Sequence, residues 1–144
     1  MKIVFDLDNT LVDEFGQKCR PNIIKLLTRL KKENFTLYLW TNSTKQRAKF
    51  ILREHKLDIY FDKFIFREDY DKKNQGIRKD IRKINADMLI DDDPDEISYM
   101  KSIGKKGILI KSFKSNSIIL NSEFDNLYRK IIKSRNFFSK FFKL

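Results

Sequence analysis

"VFDLDNTLVD", residues 4–13, is the stretch from which the fold is read. The apolar run Ile3-Val4-Phe5 leads straight into Asp6, and a second carboxylate, Asp8, follows two residues later. Charge at the end of a buried strand is costly unless something pairs with it. The two acids therefore call for a partner elsewhere in the chain.

Residues 2–7 read as a buried strand. Residues 35–40 are aromatic and β-prone and predict a second strand; 64–66, 88–90 and 108–110 predict three more. Pro21 followed by Ile23, Ile24, Leu26, Leu27 and Leu30 predicts a helix through about residue 32. A second helix is expected from Asn42 or Ser43, as N-cap, to about His55. Residues 67–76 have loop composition, 77–84 suggest a short helix, 96–103 another, and 123–133 or beyond a last one. Strands alternating with helices imply an α/β fold, a three-layer Rossmann-like parallel sheet with helices on both faces. Such sheets bind ligands beyond the carboxyl ends of their strands, near a reversal of strand order. Asp6 and Asp8, Thr41, and Asp91 and Asp92 all fall at those ends.

Each piece has an ordinary reading when taken alone. Asp-x-Asp can be a turn or a cap, Thr41 a cap, and the five acids in residues 91–96 a solvated turn. A calcium loop needs Gly at its sixth position and Glu at its twelfth. Counted from Asp6 those positions hold Leu11 and Gln17, and from Asp91 they hold Glu96 and Ser102, so both fail. Asp91 and Asp92, however, directly follow the apolar Met88-Leu89-Ile90 and belong at the sheet edge. Four carboxylates gathered there repel one another, and a divalent cation relieves the repulsion. Oxygen donors without His or Cys point to magnesium. The set suits phosphoryl transfer: one carboxylate attacks phosphorus, another moves the proton, and a hydroxyl and a lysine hold the remaining oxygens. Lys72, Lys73, Lys79 and Lys83 are all in range.

"FDLDNTLVD", "LWTNST", a lysine and then "LIDDDPDE" resemble the phosphatase branch of the haloacid dehalogenase superfamily, across nearly all of residues 1–110. "FDKFIFREDY" followed by "IRKDIRKI" resembles its CTD-phosphatase-like, or NLI-interacting-factor-like, branch. In that branch an Arg-Glu pair closes a strand and a Lys-Asp-Leu segment follows; Arg67-Glu68 and Lys79-Asp80-Ile81 stand in those places. The resemblance implies Asp6 as nucleophile, forming an aspartyl-phosphate, and Asp8 as acid/base. Thr41, with Asn42 beside it, and Lys79 would bind the phosphoryl group. Asp92 would hold Mg2+ with Asp6 and the backbone carbonyl of Asp8, and Asp91 would support the lysine or the metal shell. Two features depart from the branch: the 79–91 segment is short, and Asp91-Asp92 replaces the Asp-Asn of the small members. Both also suit magnesium-dependent phosphatases and deoxyribonucleotidases.

Only about thirty residues separate Thr10 from Thr41, and one helix and one strand use them, so no cap domain is expected. An open site favours a phosphorylated macromolecule. The resemblance favours phosphoserine or phosphothreonine in a protein; a nucleotide or polynucleotide 3′ end is the alternative. A homodimer, in which a neighbour shields the site, is compatible with the missing cap. The net charge of +11 also suits polyanions. A single cysteine, Cys19, and an N-terminus without a signal peptide suggest an intracellular setting, cytoplasmic or nuclear. One domain is expected over 1–135. A basic, aromatic tail, 136–144, either packs on the domain or meets a partner. Trp40 reads as core and His55 as surface.

Overall fold

The pleat of the strands assigns every core residue to one of two faces. The computed structural model describes residues 1–119 and 122–142, and all side chains of the last helix except those at 139, 141 and 142. The packing of Phe141 and Phe142 and the last two residues of the expected tail lie outside it. In chain order the elements are β1 (Lys2–Phe5), α1 (Ile23–Lys32), β2 (Thr36–Trp40), α2 (Lys45–Glu54), β3 (Lys63–Ile65), α3 (Arg67–Tyr70), β4 (Met88–Asp91), α4 (Pro94–Ser102), β5 (Lys106–Leu109) and α5 (Ser122–Phe142). The strands form one sheet in the order β3-β2-β1-β4-β5, and all four pairings are parallel. This is the expected Rossmann-like architecture. The chain order reverses between β1 and β4, so the crevice for a ligand opens at their carboxyl ends.

Ile3, Phe5, Leu37, Leu39, Met88 and Ile90 face one side, where Leu26 and Leu30 of α1, Leu52 of α2 and Ile131 of α5 cover them. Val4, Tyr38, Trp40 and Leu89 face the other, against Met100 of α4 and the 3-10 turn Ile81–Ile84. Side chains two apart on a strand share a face, and this parity carries on into the site. Trp40 is core, as read from the sequence.

Several boundaries differ from the sequence reading, each for a local reason. Asn22 adopts a left-handed conformation (φ 65°), so α1 starts at Ile23 and Pro21 lies in the turn before it. The cap of α2 is Thr44, which accepts from the Arg47 N–H; Asn42 and Ser43 are used elsewhere. Helix α4 begins at Pro94 because Asp93 caps it, accepting from the Asp95 N–H at 2.9 Å. The expected loop 67–76 contains α3, and of the expected helix over 77–84 only Ile81–Ile84 is helical. Helix α5 runs unbroken from Ser122 to Phe142, past position 135. It is held by buried Leu127 and Ile131 and by cation–π contacts, with Arg29 3.7 Å from the Tyr128 ring and Arg135 4.9 Å from that of Phe35. His55 is half-buried rather than a free surface residue. Its Nε2 lies 2.8 Å from the Gly16 carbonyl oxygen and pins the loop after β1 to the end of α2.

Gly16 itself has φ +70°, and a Cβ there would sit 2.5 Å from Ile51 Cδ1. Gly16→Ala therefore combines left-handed strain with an overpacked contact and should cost about 2 kcal/mol. Urea denaturation monitored by circular dichroism measures this, and an unchanged midpoint would contradict it.

Candidate active site

Asp6 and Asp91 meet because their strands are adjacent and in register. Val4 pairs with Leu89 across β1 and β4, and both point to the same face. Two residues on, by the same parity, come Asp6 and Asp91; the Asp6 N–H donates to the Ile90 carbonyl at 3.1 Å. The chain covering that face supplies Lys79. Its Nζ lies 2.9 Å from Asp6 Oδ1 and 2.7 Å from Asp91 Oδ2. All three residues are buried. Burial pushes the Asp6 carboxyl up to about 6, although Lys79 opposes the shift. Asp91 also rises to about 6, through burial and then through the charge of Asp6. Burial pulls the Lys79 ammonium down, but the two carboxylates outweigh it and hold the lysine above its usual range.

The loop after β1 shapes the rest. The N–H groups of Thr10, Leu11 and Val12 all donate to the Leu7 carbonyl, at 3.2, 2.9 and 3.2 Å, and Asn9 takes a left-handed φ of 64° to make the turn. This brings the buried Thr10 hydroxyl to 3.0 Å from Asp6 Oδ2 and 3.4 Å from Asp92 Oδ1. Arg47 Nη1 of α2 lies 2.9 Å from the Asp8 carboxylate. Burial raises the Asp8 pKa, opposed by Arg47. Asp92, half-buried, is raised by burial as well.

Thr41 is buried at the end of β2, where its Oγ1 accepts the Ser43 N–H at 3.0 Å. Its hydroxyl proton thus remains available to a ligand in the cavity. Asn42 is exposed on the rim, where its Nδ2 donates to Asn74 Oδ1 at 3.2 Å and its carbonyl accepts from Arg67 Nε at 2.8 Å. The cavity spans about 660 Å³, and all seven residues singled out from the sequence line it. Arg47, Arg67 and Arg78 line it as well.

Asp6, Asp91 and Asp92 each offer a carboxylate oxygen within 4.8 Å of the other two. In the inner ring, four aspartates stand against two cations, Lys79 and Arg47. The surplus negative charge and the all-oxygen donor set fit a hard divalent ion. Lys79 and the Asp93 N–H, the latter 3.0 Å from Asp91 Oδ1, already occupy both Asp91 oxygens. Lys79 and the Thr10 hydroxyl likewise take one oxygen each of Asp6, so of the three carboxylates Asp92, only half-buried, is the most open to a further ligand.

The profile of the NLI interacting factor-like phosphatase family matches residues 1–141. The chain belongs to this family. The family is one of phosphatases, and the chain shares its fold with hydrolases of the haloacid dehalogenase superfamily. A "predicted phosphatase" from Clostridium acetobutylicum is 18% identical, with a TM-score of 0.67, covering 92% of this chain and 98% of its own. A haloacid-dehalogenase-superfamily hydrolase from Ehrlichia chaffeensis is also 18% identical, with a TM-score of 0.60, covering 90% of this chain and 96% of its own. The Pnkp1/Rnl/Hen1 RNA repair complex contains a chain 15% identical, with a TM-score of 0.58; the match covers 77% of this chain and 42% of that chain. No curated protein matches at a significant level. Among the described residues, no helix is long and apolar enough to cross a membrane.

Sequence reading missed four residues that build or support the candidate site. Thr10 passed as a loop residue, although its place four positions after Asp6 was a usable signal. Arg47 lies one helical turn beyond Ser43, whose Oγ it also reaches at 3.0 Å. Buried Glu96 accepts from Arg78 at 3.2 Å and from the Lys79 N–H at 3.3 Å, fixing the backbone beneath the lysine. Asp71 accepts from the Gln75, Gly76 and Ile77 N–H groups at 2.7, 2.9 and 3.1 Å and shapes the segment leading to Lys79.

Lys79→Met leaves two buried carboxylates without their counter-charge, at a cost of about 3–5 kcal/mol. Asp6 and Asp91 titrate above their unfolded values, so their ionised forms oppose folding as pH rises. The gap between wild type and variant should therefore be widest above about pH 6 and narrow below it. Urea titrations in chelator at about pH 8 and about pH 5 test this; an equal gap at both would refute the sign.

Proposed function

We propose that the chain is a magnesium-dependent phosphatase that works through an aspartyl-phosphate on Asp6, with phosphoserine or phosphothreonine of a protein as substrate. The observation that carries this reading is the cluster of Asp6, Asp91, Asp92 and Lys79 at the strand-order reversal, with Asp8 two residues away. The Asp6 carboxylate attacks phosphorus while the bond to the leaving oxygen breaks, and Asp8 gives that oxygen its proton. Asp8 then takes a proton from water, which attacks the same phosphorus and returns Asp6 as a free carboxylate. Thr41 donates its hydroxyl to a phosphoryl oxygen, Asn42 sits at the rim beside it, and Lys79 adds positive charge where the phosphoryl group gathers negative charge. Magnesium would be held by Asp6, Asp92 and the backbone carbonyl of Asp8, with Asp91 behind, and would neutralise phosphoryl charge.

The wide cavity and the absence of a cap among the described residues support a macromolecular substrate, and the arginine rim supports an anionic one. A cytoplasmic or nuclear location accords with such a substrate. A polynucleotide 3′ end is the second reading. The net charge of +11 and the fold shared with a chain of an RNA repair complex favour it.

With magnesium and an aryl phosphate, wild type should turn over and Asp6→Asn should not, losing at least roughly a thousandfold. Equal rates would remove Asp6 from the chemistry. A panel of phosphopeptides, deoxynucleotides and 3′-phosphorylated oligonucleotides separates the two substrate readings by kcat/KM. Saturating magnesium should raise the melting temperature by roughly 5–10 °C, and Asp92→Asn should abolish most of that gain. No shift in wild type would count against the metal site.

A further inference from the structure

Arg20 lies outside every motif that pointed to the site, yet it is among the most constrained side chains in the molecule. It is 3% exposed. Its Nε donates to the Thr10 carbonyl at 2.6 Å and its Nη2 to the Asn9 carbonyl at 3.0 Å. Nη2 also donates to the Lys111 carbonyl beyond β5, and Nη1 is bonded to Glu123 in the first turn of α5. The guanidinium plane stands 5.4 Å from the Phe113 ring centre. A second strut runs beside it. The Phe113 N–H donates to the Asn9 carbonyl at 2.8 Å, and Asn9 Nδ2 donates to the Phe113 carbonyl at 2.9 Å.

Both carbonyls that Arg20 grips in the β1 loop belong to the turn that aims Thr10. The Thr10 hydroxyl in turn touches Asp6 and Asp92. We propose that Arg20 is a positioning residue: with Glu123 it clamps the loop after β1 to the start of the C-terminal helix, and so sets the mutual placement of Asp6 and Asp92. The inference rests on the phosphatase reading of those aspartates. It makes α5 part of the catalytic architecture, although no described α5 side chain lines the cavity.

A rigid planar fork is needed to reach several carbonyls and a carboxylate at once, and lysine cannot reproduce it. Small displacements of reacting groups cost rate far more than they cost binding. Arg20→Lys should therefore lower kcat for an aryl phosphate by roughly tenfold to a hundredfold, with KM within about twofold. Glu123→Gln keeps the arginine and all its carbonyl contacts, so it should fold as wild type does. It should show the same split at about three- to tenfold, together with faster amide exchange at residues 9–12.

Full-length wild type and both variants are compared by steady-state kinetics and by hydrogen exchange. If Arg20→Lys does not fold, Glu123→Gln decides the matter alone. A kcat within twofold of wild type, or a loss that merely tracks the folded fraction, overturns the clamp. Unchanged exchange at residues 9–12 in Glu123→Gln overturns it too. An inert wild type would refute the phosphatase reading instead, and the exchange data would still judge the clamp.

Discussion

One ammonium group between two buried carboxylates organises this molecule. Lys79 reaches Asp6 and Asp91 from a segment that is otherwise irregular, and its charge favours the ionised form of both acids at their strand ends. Two buried carboxylates repel and a single lysine compensates only one of them, so the pair keeps a raised affinity for protons or for a cation. A deficit of positive charge is thus built into the fold at the point where the strand order reverses. The same deficit that weakens the folded chain supplies the attraction for a hard ion.

Everything nearby serves to hold that lysine and the two strand ends at fixed distances. Glu96 anchors the Lys79 backbone, Asp71 curls the segment before it, and the Leu7 carbonyl gathers three N–H groups to turn the β1 loop. Most of these tethers are hydrogen bonds to charged groups, stronger than neutral ones and oriented. The geometry is therefore set by the chain itself, ahead of any ligand.

The sheet was legible in the sequence because its strands are short apolar runs ending in polar residues, and parity then fixed which side each acid faces. The four acidic positions and Lys79 were legible because they fall at strand ends or in a recognisable segment. Boundaries were less so. Asn22 sets the start of α1 through its own left-handed backbone, and Thr44 rather than Ser43 caps α2, the Ser43 hydroxyl accepting from the Arg47 side chain instead. Arg47 and Arg20 were hidden for a different reason. Their partners lie 39 and 103 residues away at the farthest, and no local pattern announces a contact of that range. Asn42 was read as a ligand contact, while its bonds to Asn74 and Arg67 fasten the rim.

The two outer strands have a bearing on self-association. β3 has three residues and begins with Lys63; β5 has four and begins with Lys106. Short, lysine-bearing borders discourage strand-to-strand extension. Two copies of this chain would then meet through helices or loops rather than through their outer strands.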